Sequence, residues 1–269
     1  MPETFRRTAR KVPERSVTHS PERSGKVPGN RPGNGPRGPY AAAPGDGRKR
    51  LAARRAPPQT HRMKPVTLTT DRLLLRPFQP SDVPAVHTAC QDPAIPRWTA
   101  VPTPYGLDDA ERFVGTAVPE GWRNDTAYTF AVATRDGGTL VGSMGLVRLD
   151  RLRTVERQAE LGYWTAKEHR GKGYTAEAAG AVVRWAFREL DVERMEWLAE
   201  AGNEGSWAVA RKVGFRREGT LRAKLVHGGI RRDLWIGSLL PSDLPREPAL
   251  AGRATAPAKD PTPYLPHPR

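Results

Sequence analysis

The sequence predicts an α/β (α+β) fold in which one mixed sheet is combined with interleaved helices. Some segments alternate apolar and polar residues as strands do, for example Tyr128, Phe130 and Val132. Other segments repeat apolar residues every three or four positions, as helices do, most clearly over 176–190. The segments follow the order β, α, α, β, β, β, α, β, α, β, β. This order differs from the even alternation of a doubly wound parallel sheet.

The first elements are a short strand and two helical segments. The apolar run 73–75 predicts a strand that ends at Arg76-Pro77. Ser81 or Asp82 is expected to cap a helix over "VPAVHTACQ". The segment "DPAIPRWTAVPTPYG" is too rich in proline for regular structure, and helical spacing resumes in "LDDAERFVGTAV".

The remaining elements alternate between strands and helices. "AYTFAVAT" and "TLVGSMGLVRL" are predicted to form a hairpin around "RDGG", whose Asp-Gly pair is a strong turn signal. After the polar stretch "DRLRTVERQ", the predicted order is strand "AELGYWTA", helix "AEAAGAVVRWAFREL", strand "RMEWLAEAG", helix "SWAVARKV" and hairpin "REGTLRAKLVHGGIRRDLWIGSLL". Gly214 is expected to stop the second of these helices.

The two ends of the chain differ in composition from its middle. Residues 1–62 hold ten Pro and seven Gly, and residues 245–269 are similar, so both are predicted to be disordered around one domain at 63–244. Residues 1–62 also carry 15 Lys and Arg against 4 Asp and Glu, whereas residues 63–244 carry 25 against 23. The net charge of +15 therefore belongs to the ends, and the predicted domain is nearly neutral.

Three interpretations of the basic arm 1–62 remain open. It binds nucleic acid, or it has no role, or it is a translated upstream stretch and Met63 is the natural start. The sequence has no apolar run of the ~20 residues that a membrane span requires. We expect a cytoplasmic protein. We also expect this protein to be a monomer or a homodimer. The single cysteine, Cys90, excludes an internal disulfide, and it is expected to be a small apolar residue of the interior.

The segment "HRGKGYTAEAAG" at 169–180 places a glycine-rich turn between a predicted strand and a predicted helix. The first backbone N–H groups of a helix have no intrahelical acceptors, so glycines and basic residues at this point favour an anion. A plain turn would also tolerate two glycines. "GKGYTA" fits half of a dinucleotide fingerprint too, but only one βαβ unit is present. The loop by itself leaves these alternatives open.

Four segments in order resemble the GNAT N-acetyltransferases, in particular the RimJ/RimL-like branch that acetylates ribosomal-protein N-termini. They are "TDRLLLRPFQPSDVPAV", "GTLVGSMGL", "AELGYWTAKEHRGKGYTAEAA" and "NEGSWAVARKVGFRREGTLR", which together span about 68–244. The resemblance implies a mostly antiparallel sheet in which the strand "AELGYW" splays from its neighbour. It also implies that acetyl-CoA binds there as co-substrate, with its pyrophosphate on the glycine loop.

The family's cofactor motif falls on Arg170, Gly173 and Thr175, where Thr175 replaces a residue that is usually smaller. Asn203 and Ser206 match the family's positions beside the pantetheine arm and the thiol, although they would also suit the start of a helix. The residues that the resemblance assigns to the cofactor are Leu161, Gly162, Arg170, Gly171, Lys172, Gly173, Tyr174, Thr175 and Asn203.

Transfer of an acetyl group to an amine needs a base for the amine and a proton donor for the thiolate. Glu160 is the predicted base, with a solvated or salt-bridged strand carboxylate as the alternative, and Ser206 or Tyr163 is the predicted donor. Trp98 and Tyr105 are candidates for the acceptor site, although aromatic residues in such a segment often only pack. No metal is expected. The competing hypothesis is a non-catalytic acyl-CoA sensor or a basic-tailed nucleic-acid binder on the same fold.

Overall fold

The computed structural model describes residues 63–245, so the predictions for residues 1–62 and for the tail from 246 onward lie outside the described residues. Its strands are β1 (Leu68–Thr69), β2 (Leu73–Arg76), β3 (Tyr128–Thr134), β4 (Leu140–Val147), β5 (Gln158–Thr165), β6 (Arg194–Glu200), β7 (Arg216–His227) and β8 (Ile230–Leu239). Its α-helices are α1 (Val83–Cys90), α2 (Ala94–Trp98), α3 (Leu107–Arg112), α4 (Val118–Arg123), α5 (Tyr174–Glu189) and α6 (Glu204–Val213).

The strands form one sheet in the order β1-β2-β3-β4-β5-β6-β8-β7. Six of its seven neighbouring pairs are antiparallel, and β5 and β6 are parallel because α5 carries the chain back between them. The prediction of a mixed, mostly antiparallel sheet with flanking helices is confirmed. The one parallel pair lies in the middle of the sheet, directly before and after the helix that follows the glycine loop.

Helix α5 buries the apolar stripe that its sequence predicts. Val182, Val183 and Ala186 are fully buried in the main core. Trp185 extends this face into an aromatic cluster, with its ring centroid 5.5 Å from Phe130 and 6.1 Å from Trp122. Apolar burial at about 25 cal/mol per Å² makes this packing the main force that fixes α5 on the sheet. The N-terminus of α5 is thereby held at the end of β5.

The expectation that the proline-rich segment lacks regular structure is wrong in part, because α2 lies within it. Pro93 occupies the N-cap of this helix and Pro96 its first turn, where backbone N–H groups have no intrahelical partner, so the prolines remove no helix hydrogen bond. The Asp92 side chain accepts a hydrogen bond from the Ala94 N–H (3.1 Å) and starts the helix.

The predicted second helix is longer than expected and contains a π turn. Phe113–Ala117 forms this turn between α3 and α4, and the chain stays helical to Arg123. The turn lies just before Pro119, whose ring and missing N–H disturb the normal hydrogen bond to the preceding turn. A proline inside the pattern therefore widens this helix locally without ending it.

The side chain of Asp82 does not cap α1, which differs from the prediction that Ser81 or Asp82 caps this helix. The carboxylate of Asp82 bonds to other groups. It accepts two hydrogen bonds from the Arg76 guanidinium (2.7 and 2.8 Å) and one from the Gln79 N–H (2.8 Å). Burial alone would raise the pKa of Asp82, but the bonds from Arg76 and Gln79 outweigh it and hold that pKa below its usual range. The pair connects the end of β2 to the turn before α1.

Replacing Asp82 with asparagine is expected to lower the free energy of unfolding by about 3 kcal/mol at pH 7, because Arg76 loses a buried charged partner. A carboxylate with a lowered pKa stabilises the fold above its unfolded pKa, so the difference from wild type should shrink as the pH falls below about 4. Urea unfolding at several pH values measures both effects. Glu156→Gln, in an exposed pair with Arg151, is the control and should change stability by less than about 0.5 kcal/mol. A loss of equal size for both variants would contradict this account.

Candidate active site

The parallel strands β5 and β6 separate part of the way along their length. Their pairing covers three positions and ends at Glu160 opposite Glu196. Beyond this point β5 pairs only with β4, up to Thr165, and β6 pairs only with β8, up to Glu200. The strand edges that face each other across the gap therefore keep free backbone N–H and C=O groups, which a bound amide can pair with. The splayed strand predicted from the resemblance is confirmed.

A cavity of about 1310 Å³ opens at this gap. It is bounded by the two separated strands, the glycine loop, the start of α6 and the region around α1 and α2. Twelve of the fourteen residues predicted for the site line it: Trp98, Tyr105, Glu160, Leu161, Gly162, Tyr163, Arg170, Gly171, Gly173, Thr175, Asn203 and Ser206. Lys172 and Tyr174 belong to the loop but do not line the cavity.

The glycine loop has the backbone conformation of an anion cradle. Gly171 and Gly173 have φ angles of +75° and +79°, a left-handed region that favours glycine, and Gly173 is the N-cap of α5. The first amide that bonds back into the helix is that of Glu177, to the Gly173 carbonyl at 3.1 Å. The amides of 174–176 therefore have no intrahelical acceptor, and the helix dipole adds positive potential at the same place.

The positive charge beside this loop comes partly from residues that the sequence reading did not single out. A Cβ atom at Gly173 would lie 3.5 Å from Lys212 Nζ and 3.6 Å from a guanidinium nitrogen of Arg72. Lys212 belongs to the last turn of α6. Arg72 is held by Glu177 (2.7 Å) and by the Lys172 carbonyl (3.1 Å). Only the fold brings these distant residues to the loop.

Arg170 does not direct its charge at the cradle, which corrects the expectation that it supplements the loop. Its guanidinium forms an ion pair with Asp92 (2.6 Å) and donates to the Thr165 carbonyl (3.0 Å). Arg170 thus joins the glycine loop to the turn between α1 and α2. The hydroxyl of Thr175 bonds to that of Thr165 (2.7 Å), so the unusual residue of the motif connects the end of β5 to the start of α5.

Glu160 lies at the point where the strands separate, and its side chain is mostly buried. It forms an ion pair with Arg148 (2.7 Å), but its buried Oε2 atom accepts no well-aligned hydrogen bond from the described residues. Burial raises the pKa of Glu160 to about 7, although the charge of Arg148 opposes this and that of Glu196 adds to it. A carboxylate with such a pKa is suited to take a proton near neutral pH.

A hydrogen-bond network surrounds Ser206 on the other side of the gap. Trp197 donates through Nε1 to Ser206 Oγ (2.9 Å), and the Tyr163 hydroxyl lies 3.0 Å from the same oxygen. Tyr163 also donates to the Ser206 carbonyl (2.9 Å), and Asn203 Oδ1 accepts from the Ser206 N–H (3.0 Å) as the N-cap of α6. Burial raises the pKa of Tyr163 to about 12, so both hydroxyls keep their protons at neutral pH. The sequence indicates Trp197 only as a residue of the predicted strand "RMEWLAEAG".

The two predicted acceptor-site aromatics lie at the cavity wall formed by the α1–α2 region. Trp98 is 36% exposed, and the Arg97 guanidinium stacks 4.0 Å from its ring centroid. Tyr105 is half-buried next to Cys90, which belongs to a small apolar cluster in the interior. Burial, the largest cause, raises the pKa of Tyr105 well above its usual range, so its hydroxyl stays protonated.

The described range 63–245 contains no group of three or more His, Cys, Asp and Glu side chains that could hold a metal ion. None of its helices has both the length and the apolar character needed to cross a bilayer.

Residues 72–216 match the family model described as an acetyltransferase (GNAT) domain. Among curated proteins, the chain is 38% identical over 133 residues to the "Putative ribosomal N-acetyltransferase YdaF" of Bacillus subtilis, which covers 49% of this chain and 70% of that protein. The range matched by the family model, residues 72–216, includes the splayed strands, the glycine loop and α6.

Solved structures share this architecture. An acetyltransferase of the GNAT family from Bacillus anthracis is 25% identical, with a TM-score of 0.57, and the match covers 65% of this chain and 98% of that one. RimJ of Mycobacterium smegmatis, solved with CoA-disulfide, is 22% identical with a TM-score of 0.58, covers 68% and 89% of the two chains, and shows the fold alone. The chain therefore belongs to the GNAT acetyltransferases, on their RimJ/RimL-like branch, and is an N-acetyltransferase that uses acetyl-CoA.

Proposed function

We propose that this enzyme acetylates the amino group at the N-terminus of a protein, by direct attack of the amine within a ternary complex. The observation that carries the proposal is Glu160, a mostly buried carboxylate at the point where β5 and β6 separate, in a cavity large enough for two substrates. The relative YdaF is named as a ribosomal N-acetyltransferase, which supports a protein acceptor over a small amine.

We assign the cofactor contacts to the loop and to the separated strand. The amides of 174–176 and Lys212 would hold the pyrophosphate, and the free edge of β5 at Leu161 and Gly162 would pair with the pantetheine amides. Asn203 would contact the same arm through its amide NH₂ group, because its Oδ1 atom already caps α6. Acetyl-CoA supplies the acetyl group as an activated thioester.

We assign the proton transfers to residues on the two sides of the gap. Glu160 takes a proton from the attacking amine, directly or through one water molecule. Ser206 gives its proton to the departing thiolate and recovers one from Tyr163, which then takes a proton from solvent water, while Trp197 orients the Ser206 oxygen. Fixing amine and thioester in one cavity supplies much of the remaining acceleration, and no covalent acyl-enzyme is needed.

A thiol-release assay tests the proposal, with acetyl-CoA and a panel of N-terminal peptides, free amino acids and simple amines. Release of CoA thiol with N-terminal peptides, together with the acetylated product in mass spectrometry, is the expected result. CoA binding without turnover of any amine would instead favour a non-catalytic acyl-CoA sensor. The chain starting at Met63 is assayed beside the full chain, and equal rates would support 63–244 as the catalytic domain.

Ser206→Ala is expected to lower kcat about tenfold or more, because the thiolate loses its nearest proton donor. The KM for acetyl-CoA should change little, since the Asn203 cap uses the backbone of Ser206. If Ser206 and Tyr163 form one relay, the double variant with Tyr163→Phe should be no slower than the slower single variant. Steady-state kinetics of the four proteins measures this, and a fully active Ser206→Ala enzyme would refute the relay.

A further inference from the structure

A second cavity adjoins the first. It has a volume of about 530 Å³ and lies between the region of α1 and α2 and the turn of the β7–β8 hairpin. Cys90, Pro102 and Tyr105 line both cavities, so the two spaces meet at these residues. His227 of the second cavity contacts Glu200, which lies four positions beyond Glu196, the partner of Glu160, or about 13 Å along β6. An extended acceptor with its amine beside Glu160 could therefore place a group a few residues away in the second cavity.

The lining of the second cavity has one sign of charge. Arg97, His227 and Arg232 line it, and none of its lining residues is an Asp or a Glu. Half of the other lining residues are prolines and Tyr105, and the remaining ones are also uncharged. The cavity thus presents basic groups against a largely apolar surface.

The carboxylate of Glu200 contacts all three of these basic groups. Glu200, at the end of β6, is buried and accepts two hydrogen bonds from Arg97 (2.8 and 2.9 Å). His227 Nδ1 lies 3.3 Å from it, and Arg232 Nε lies 3.8 Å from it. The hydrogen bonds from Arg97, above all, hold the pKa of Glu200 below its usual range, so it carries one negative charge at neutral pH.

This carboxylate does not balance the basic groups around it. Its strong bidentate contact is with Arg97, and the 3.8 Å approach of Arg232 is a loose contact beyond hydrogen-bond distance. The Arg232 side chain is 42% exposed, so most of its donors remain available. Two arginines against one carboxylate leave a net positive charge at the cavity, before any protonation of His227.

We propose that the second cavity binds a carboxylate of the acceptor, through Arg232 and His227, while the acceptor amine lies beside Glu160. The substrate class is thus a protein N-terminus followed within a few residues by an acidic side chain. This group is an Asp or Glu side chain, because the amine and α-carboxylate of a free amino acid lie too close together to reach both places. The inference rests on the proposed function, and it deepens that function by naming what the enzyme selects.

Matched acceptors test the proposal with the full chain. Peptides with Asp at the second, third or fourth position are compared with the same peptides carrying Asn, and free amino acids are compared with their amides. The kcat/KM for the acidic member of at least one peptide pair is expected to be about tenfold higher, as one charge-assisted contact gives. A preference confined to free amino acids would contradict the inference, because their amine and α-carboxylate lie too close together to reach both places.

Variants of the hairpin identify the group responsible. Arg232→Gln should reduce the preference to about one, Arg232→Lys should keep part of it, and Arg222→Gln, at an exposed arginine of β7 outside both cavities, should keep all of it. Calorimetry of the acidic peptide in the presence of CoA reports the same contact without turnover.

Equal use of acidic and neutral acceptors by the wild type would overturn the inference and leave the acetyltransferase intact. A preference that survives in Arg232→Gln would overturn it as well. Failure of every amine, neutral ones included, to bind or react would overturn the proposed function and this inference together.

Discussion

Replacing Gly173 with glutamate is expected to weaken acetyl-CoA binding by more than about a hundredfold, since it combines two unfavourable changes at the N-terminus of α5. The residue has a φ angle of +79°, which disfavours any side chain, and the new carboxylate would stand close to Lys212 and Arg72. The glutamate would pair with the basic side chains that we propose to lie beside the pyrophosphate, and its negative charge would repel that group. Calorimetry with acetyl-CoA measures the loss.

Gly138→Glu is the matched control for this variant. Gly138 has a φ angle of +65° in the turn between β3 and β4, has open space around it and does not line the cavity. It therefore carries a similar backbone penalty without the charge at the cradle, and its acetyl-CoA affinity should stay near that of the wild type. A folded Gly173→Glu protein with unchanged affinity would show that the pyrophosphate binds elsewhere.

The glycine loop could be located from the sequence, but the direction of the charges around it could not. The glycines and the helix start that create the cradle are local in the chain, so "HRGKGYTAEAAG" contains them. Whether an arginine faces the loop depends on more distant partners. Arg170 turns to Asp92, whereas Lys212 and Arg72 come within 3.6 Å of a Cβ position at Gly173. Such pairings follow from tertiary contacts between residues that are 39 or more positions apart in the chain.

The same distinction applies to the fold. The periodic segments around Val182 and Phe130 give strands and helices where they are expected, because their apolar faces are continuous. The sequence reading failed at prolines. Pro96 lies in the first turn of α2 and Pro119 follows a π turn, and at both sites the missing N–H is tolerated through local geometry that composition does not reveal.

The splay connects the fold to the chemistry at Glu160. Glu160 occupies the last position at which β5 pairs with β6. Its carboxylate is therefore packed like a core residue and yet faces the cavity. Glu196 is its partner on β6, and Arg148 follows the end of β4 on the other side. Glu196 raises the pKa of Glu160 and Arg148 lowers it. The proposed role of Glu160 as the base can therefore be tested by titration.

Glu160→Gln is expected to lower kcat/KM for the acceptor about a hundredfold at pH 8, where the wild-type carboxylate is ionised and able to accept the proton. In the wild type, activity should fall on the acid side with a pKa of about 7 that belongs to Glu160. This limb should vanish in the variant. The part of the pH dependence that is set by the pKa of the acceptor amine, about 8 for an N-terminal α-amino group, should remain.

Two further variants separate titration of Glu160 from a loss of structure. Glu196→Gln removes a like charge and should move the acid limb to lower pH, whereas Arg148→Gln removes an opposite charge and should move it to higher pH. Acceptors whose amines differ in pKa should shift the other limb only. An acid limb that stays at the same pH in all three variants would assign the proton transfer to another group, and catalysis here would then rest on the placement of the two substrates.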